Sequence, residues 1–492
     1  MGRKIAVIGS GISGLSAAAY SAQDGNEVHV FEKNNEIGGR ARQFTQQGYT
    51  FDMGPSWYWM PDIIDNFFQD FGHQASDFYE LVPLNPQFEM VVPDEVVAVP
   101  QDLKELKALF ERLEHGSGLR LDDFMQAAKY KYDVGMRDFV TKPCHTWLEF
   151  LSPKIAVSAL KLDLLSNFRS YVAKYFKHPT LQALMEFPVI FLGASPKDIP
   201  ALYSLMNYGG YALGTWFPMG GFHKLVLAMK EVGEQLGVTY HVGQSVERIL
   251  TMGDEAHGLI INGQLHHFDA IISSADYQHT ETLMEVDKRN YTDSYWESRT
   301  FAPSCLIYYL GFKRKIENLT HHTLFFENDL DAHIKSIYDE KEWPDKPLFY
   351  ACCPSKTDPS VAPAGHENVF LLMPLATGIA DNETIREKYF QEMIARLEKH
   401  TGSKDLLSHL EYKRSYCVSD FIQDYNAYQG NAYGLANTLR QTAVWKPSVR
   451  NKKIANLFYT GQLTVPGPGV PPALISGKIA ANEVRNLINI TV

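Results

Sequence analysis

The residues near the start of the chain whose spacing carries chemistry are Gly9, Gly11 and Gly14, in the order Gly9-x-Gly11-x-x-Gly14. An apolar run, Ile5-Ala6-Val7-Ile8, precedes them as a buried strand, and Leu15 to Asp24 follows as a helix closed near Gly25. Gly9 permits the tight turn, Gly11 lets the backbone approach a pyrophosphate, and Gly14 allows close helix–strand packing. Ile12 and Ser13 lie in this turn, and the helix that follows presents its first N–H groups to the phosphates. Glu27 to Glu32 alternates as a second strand. Glu32 lies 18 residues beyond Gly14, where a carboxylate accepts hydrogen bonds from an adenosine ribose, with Lys33 beside it. Three glycines alone are a weak signal. With a strand before, a helix after and the acid in place, they predict a site for an ADP-containing dinucleotide.

Two further motifs extend that site. Gly38-Gly39-Arg40-Ala41-Arg42 follows Glu32 after five residues. Paired glycines let the chain pass beside a diphosphate, and Arg40, with Arg42 next to it, offers charge-assisted bonds. The tail reads as a strand (Leu457 to Tyr459), a glycine–proline loop and a helix from Pro472 to Leu487. Gly461 and Gln462 end that strand at the carboxyl edge of the sheet, where α/β proteins bind ligands. Gly469, Val470 and Pro471 lead into the helix, whose first turn tolerates proline and whose positive dipole end faces the site. Ser476 and Gly477 are small enough for that helix to pack close.

The E-x5-GGR strip resembles the second signature of flavoproteins of the amine oxidase and carotenoid desaturase superfamily. With both termini, Phe217-Pro218-Met219-Gly220-Gly221 and the run Ala275 to Glu281, the chain is similar over most of its length to bacterial-type phytoene desaturases. This resemblance implies FAD, since NAD alone would not need the Gly38–Arg42 strip. It places Gly54, Pro55 and Ser56, within Phe51 to Tyr58, beside the flavin ring, and the backbone near Val246 at the adenine end. It also directs the C-terminal helix dipole at the flavin N1–C2=O locus. Gln462 departs from the small residue that many relatives carry at the flavin edge.

The implied reaction is desaturation of a long apolar carotenoid, foremost phytoene towards lycopene. Such CH2–CH2 carbons are too weakly acidic for a side chain to deprotonate first. Hydride loss to flavin N5 therefore comes before proton loss from the neighbouring carbon. For that proton, Glu149 in Trp147-Leu148-Glu149-Phe150-Leu151 is a candidate acceptor, although an ordinary solvent-facing glutamate is the stronger reading. Other readings stay open: a desaturase of a modified, for example 1'-hydroxylated, carotenoid at the 3,4 position, a carotenoid cis/trans isomerase, a lipid-binding escort without FAD, or an amine oxidase.

The fold expected to hold these residues is α/β. A Rossmann-like FAD-binding domain of the GR2/amine oxidase-like type is drawn from residues 1–85, 220–285 and 450–492. A discontinuous α+β substrate domain takes 86–219 and 286–449. Residues 122–193, with Lys154, Lys161, Arg169, Tyr171, Lys174, Tyr175, Phe176 and Lys177 interleaved, form a helical part that faces either a membrane or solvent. The chain has 492 residues, 45% hydrophobic and 21% charged, which excludes disorder. A net charge of −11 argues against nucleic acid as the main partner. Five cysteines without a CxxC point to a reducing setting, with Cys352 and Cys353 read as buried inert thiols. His266-His267 and His321-His322 lack metal-site spacing, so no metal is expected. The expected setting is the cytoplasm, peripheral at the inner face of the cell membrane, with oxygen or a quinone as electron acceptor.

Overall fold

The computed structural model describes residues 2–150, 162–163, 166–190 and 193–491. Lys4–Ile8 is the central strand of a 5-stranded sheet ordered Leu457–Tyr459, Ala270–Ser273, Lys4–Ile8, Glu27–Phe31, Thr239–His241. All four pairings are parallel. Parallel strands need crossovers and burial on both faces, which accounts for the uninterrupted apolar runs. The first crossover is the helix Ile12–Gln23, which starts three residues before the expected Leu15 because extended Gly11 caps it and Gly14 lies inside it. The run Gln264 to Ser274 forms two strands, broken at Phe268-Asp269. Its first part, Gln264–His267, closes a 3-stranded antiparallel meander with Val246–Met252 and Glu255–Ile261. The second part, Ala270–Ser273, is wholly buried and joins the parallel sheet, anchored where Asp269 accepts the Lys4 N–H.

A 7-stranded sheet forms the other half, ordered Leu410–Tyr416, Ser304–Phe312, Glu367–Leu375, Phe349–Cys352, His322–Phe325, Phe88–Val91, Val96–Val99. The helix Glu383–Thr401 covers one face, with Asn382 capping its start and left-handed Gly402 its end. The opposite face, carrying Ile307, Tyr309, Tyr350, Cys352 and Leu372, packs in one cluster with the helices Ser117–Val134, Phe168–Tyr175 and Pro179–Ile190. Residues 151–161 of the expected helical part, including Lys154 and Lys161, lie outside the described residues. Within 168–177, Tyr171 and Phe176 of the expected stripe are buried, while Lys174 and Lys177 are exposed. Helical period puts Phe168, Tyr171 and Val172 on one inward face, with Phe176 buried after it, and Arg169 pairs with Glu186 and Asp331. No described helix is long and apolar enough to cross a membrane.

Candidate active site

A cavity of about 820 Å³ opens between the carboxyl ends of the parallel strands and the inner face of the 7-stranded sheet. Four short segments predicted from sequence meet in its wall: Gly9, Gly11, Ile12 and Ser13; Glu32 and Lys33; Gly38, Gly39 and Arg40; and Gly54, Pro55 and Ser56. Val246, Gly461, Gln462, Gly469, Val470 and Pro471 complete it. Two of the predicted cofactor-binding residues do not line it. A Cβ on Gly14 would lie 2.1 Å from the Gly9 carbonyl oxygen, so this glycine serves close packing only. Arg42 is instead turned onto Asp424, at 2.7 Å, and stacks over the Tyr425 ring.

The polar groups are held rather than loose. Glu32 accepts hydrogen bonds from the Ser10 N–H (3.0 Å), the Ser10 hydroxyl (2.7 Å) and the Asn34 N–H (2.9 Å). The two glycine strips touch: Gly11 bridges Gly38, and a Cβ on Gly39 would meet the Gly11 Cα at 3.1 Å. Arg40 donates through Nη2 to the Asn431 carbonyl at 3.0 Å and lies over Tyr425, while its buried Nε has no partner. Asp276 stands near it, accepting from the Tyr428 N–H and Asn431, and burial raises its pKa against the pull of Arg40. Gln462, the departure noted in the sequence, is pinned by donating to Asn431 Oδ1 at 2.8 Å. The Ser476 hydroxyl accepts the Gly461 N–H, tying the loop to the C-terminal helix. A buried, incompletely bonded cation beside a backbone cradle of glycines fits the diphosphate of FAD.

Several lining residues escaped sequence reasoning: Asn34, Gln244, Ser274, His279, Asp424, Tyr425, Asn426 and Tyr433. Ser274 had a signal, since it follows the apolar run of a third parallel strand. Asp424 to Asn426 come from the other half of the molecule and had none. His279 is held neutral, its pKa pushed down to about 4 by burial and then by Lys33.

The far part of the cavity is apolar, walled by Trp57, Trp59, Met60, Met136, Leu205, Ile307 and Leu372. Among the described residues, the carboxylates that line the cavity are Glu32, Asp276 and Asp424. Glu149, the sequence candidate for proton acceptor, does not line the cavity. Its carboxylate accepts the Cys144 N–H (3.1 Å) and the Thr146 N–H (2.9 Å) and so closes a local turn. Tyr350 does line it, bonded to the Ser56 hydroxyl at 3.0 Å and to His322 Nδ1 at 2.6 Å. Behind it, single ligand-type atoms of His321, His322 and Cys352 gather within 4.8 Å. Burial pushes the Cys352 thiol up to about 12 and both imidazoles well down. At the cavity mouth, Leu439 and Trp445 are 41% and 47% exposed.

Comparison with known proteins places this arrangement. The family described as flavin-containing amine oxidoreductases matches residues 12–485. The chain is 40% identical to a carotenoid 3,4-desaturase of Haloarcula japonica, over 98% of both chains. It is 30% identical to a zeta-carotene-forming phytoene desaturase of Myxococcus xanthus, over 98% of this chain and 94% of the other. It is also 30% identical to a 4,4'-diapophytoene desaturase of Staphylococcus aureus, over 98% of each. Among solved structures, cyclohexylamine oxidase from Brevibacterium oxydans shares the fold, with a TM-score of 0.59 and 14% identity over 99% of this chain and all of the other.

Proposed function

The chain belongs to the flavin-containing amine oxidoreductases, as an FAD-dependent oxidoreductase of the carotenoid desaturase kind, and from that premise we propose that it desaturates the 3,4 bond of a carotenoid. The observation that carries the choice of bond is the 40% identity to the Haloarcula 3,4-desaturase, against 30% to relatives named for phytoene and diapophytoene. Desaturation of phytoene towards lycopene is the second reading, favoured by the Myxococcus relative.

FAD, when bound, supplies the two-electron acceptor. Arg40, Gly11, Gly39 and the first turn of the C-terminal helix would hold its diphosphate and ring, and Glu32 its ribose. The residues of the apolar half do the rest. Trp57, Trp59, Met60, Ile307 and Leu372 exclude water and orient a polyene alongside Gly54 to Ser56. We infer also that the protein works at the membrane surface facing the cytoplasm, drawing its substrate from lipid and passing electrons to a quinone or oxygen. The exposed Leu439 and Trp445 at the mouth support the lipid contact.

The test is anaerobic incubation of FAD-loaded protein with either phytoene or a carotenoid saturated at the 3,4 position, in liposomes. The expected result is flavin bleaching, with a product lighter by one hydrogen pair, from the second substrate only. Turnover of phytoene alone would install the second reading. A product of unchanged mass would make the protein an isomerase.

A further inference from the structure

Behind the cavity wall lies a cluster that the chemistry above leaves unused. His322 stands opposite Cys352 where His322–Phe325 pairs with Phe349–Cys352, so imidazole and thiol share a face of the 7-stranded sheet. His321 precedes the strand and meets His322 edge to face, with ring centroids 4.5 Å apart. One ring nitrogen of each histidine and the Cys352 sulfur lie within 4.8 Å of one another. All three residues are buried, His322 completely. The strand pairing supplies a third donor that the spacing of His321-His322 does not announce. We propose that these three side chains hold one monovalent copper ion, a site that stands independently of the desaturase reading.

The hydrogen bonds around the rings leave each a lone pair to give. The Tyr350 hydroxyl donates to the Ser56 hydroxyl at 3.0 Å, so the proton of its 2.6 Å bond with His322 comes from Nδ1. His322 Nε2 then carries no proton. His321 Nδ1 lies 2.7 Å from the Thr357 hydroxyl and takes the same role there. The Nε2 of both rings is buried without a hydrogen-bond partner, a cost that an ion on the two lone pairs removes. An Nδ1–H given to an oxygen, with Nε2 left for the ion, is the usual way a metal-binding histidine is fixed. The ring planes are fixed as well. His322 is stacked on Trp57, with centroids 4.1 Å apart and planes within 13°, and Phe217 packs edge-on against His321 at 4.7 Å.

The donor set selects the ion. A thiol and two imidazoles suit soft or borderline cations, and the group contains no carboxylate of the kind that magnesium or calcium needs. Zinc in a closed site takes four ligands. Asp52 and Asp358 act electrostatically on Cys352 and His321, but they accept the N–H groups of Phe222 and Gly220 and are not free to add a fourth. Two histidines and one cysteine in a trigonal set are a donor arrangement that copper uses. Charge points the same way. The ion replaces the Cys352 thiol proton, which leaves to solvent, and Cu+ with one thiolate is neutral. A divalent ion would leave a positive charge in a dry interior. Bound there, copper ties the two strands together and, through Tyr350, steadies Ser56 in the cavity wall.

The experiment titrates full-length, FAD-loaded protein with Cu(I), anaerobically and against a weak chromophoric Cu(I) chelator. Cys144→Ser is the background, because Cys144 is half-buried while the other cysteines are buried. The background protein is expected to take one Cu(I) per chain from the chelator and to leave Zn(II) behind in a parallel titration. Its copper X-ray absorption spectrum should show two nitrogens and one sulfur around the ion. Adding Cys352→Ser should abolish the uptake. Thr357→Val, which removes the partner of His321 Nδ1, should weaken it about 10- to 100-fold. Uptake by the Cys352→Ser protein equal to that of the background overturns the proposal. So does a background protein that leaves all Cu(I) with the chelator, or one that takes Zn(II) in preference. Should Cys352→Ser fail to fold, the ligand set in the background spectrum still decides. Two or more sulfurs, or a single nitrogen, would put the ion elsewhere and overturn the site.

Discussion

A buried guanidinium with one nitrogen unbonded is costly until something completes it, and Arg40 is in that state. A charge-assisted hydrogen bond to the FAD diphosphate is worth about 1.5–3 kcal/mol. Arg40→Met should therefore weaken FAD about 10- to 100-fold in a flavin fluorescence titration. Arg40→Lys should recover part of that, and unchanged affinity in both would remove Arg40 from the cofactor site. A second residue bears on pH. Glu281 is buried, accepting from the Asn290 N–H and the Trp296 indole, and burial raises its pKa from 4.5 to about 7. A carboxyl raised on folding is held most favourably while protonated. Its contribution is complete below pH 4.5 and is lost as pH climbs through about 7. Glu281→Gln should leave Tm unchanged near pH 4.5 and raise stability by on the order of 2 kcal/mol at pH 8.5. Equal melting of the two proteins at pH 8.5, in a calorimetric series, would show that folding does not raise the pKa of this carboxyl.

Among the elements, the helix Ile12–Gln23 and the C-terminal helix Val470–Thr491 pack along one line of small side chains. A Cβ on Gly477 would fall 2.5 Å from both the Ser13 carbonyl oxygen and the Ser16 Cβ. Gly477→Val should force the helices apart at a cost of about 3 kcal/mol in urea unfolding and release FAD with it. Gly477→Ala should show a smaller effect of the same sign. This contact was legible in the sequence, as were the strands Lys4–Ile8, Glu27–Phe31 and Leu457–Tyr459, because local runs of apolar residues bounded by glycine report local backbone demands. What pairs across the chain was not legible. His322 stands opposite Cys352 in the 7-stranded sheet, and Tyr350 is two residues back on the same face, yet no spacing in the sequence announces strands 28 residues apart as partners. The same holds for Tyr425 beside Arg40, separated by most of the chain. The stripe of lysines and aromatics over 168–177 was ambiguous for a related reason. Amphipathic period shows that one face is apolar and leaves open whether lipid or core covers it.

For the whole molecule, the cavity joins a polar, glycine-walled half to an apolar half that opens at Leu439, Thr442, Ala443 and Trp445. A hydrocarbon substrate gains about 0.8 kcal/mol for each CH2 it keeps out of water. A mouth that delivers it through solvent would forfeit that gain, and one pressed on lipid keeps it throughout. Leu439 and Trp445 line the cavity and are still 41% and 47% exposed, an arrangement that suits a rim seated in a bilayer. Replacing both (Leu439→Glu with Trp445→Glu) should move the protein from the floating to the soluble fraction in liposome flotation. Turnover of carotenoid presented in liposomes should fall at least about tenfold, since two buried apolar side chains are worth about 1.5–3 kcal/mol each. Turnover of the same carotenoid in detergent micelles should change less than twofold, because the micelle delivers it without the rim. Flotation of the double variant at the wild-type level would place the lipid contact elsewhere on the surface. Loss of turnover in micelles as well would show that the two residues shape the cavity and do not seat it on a membrane.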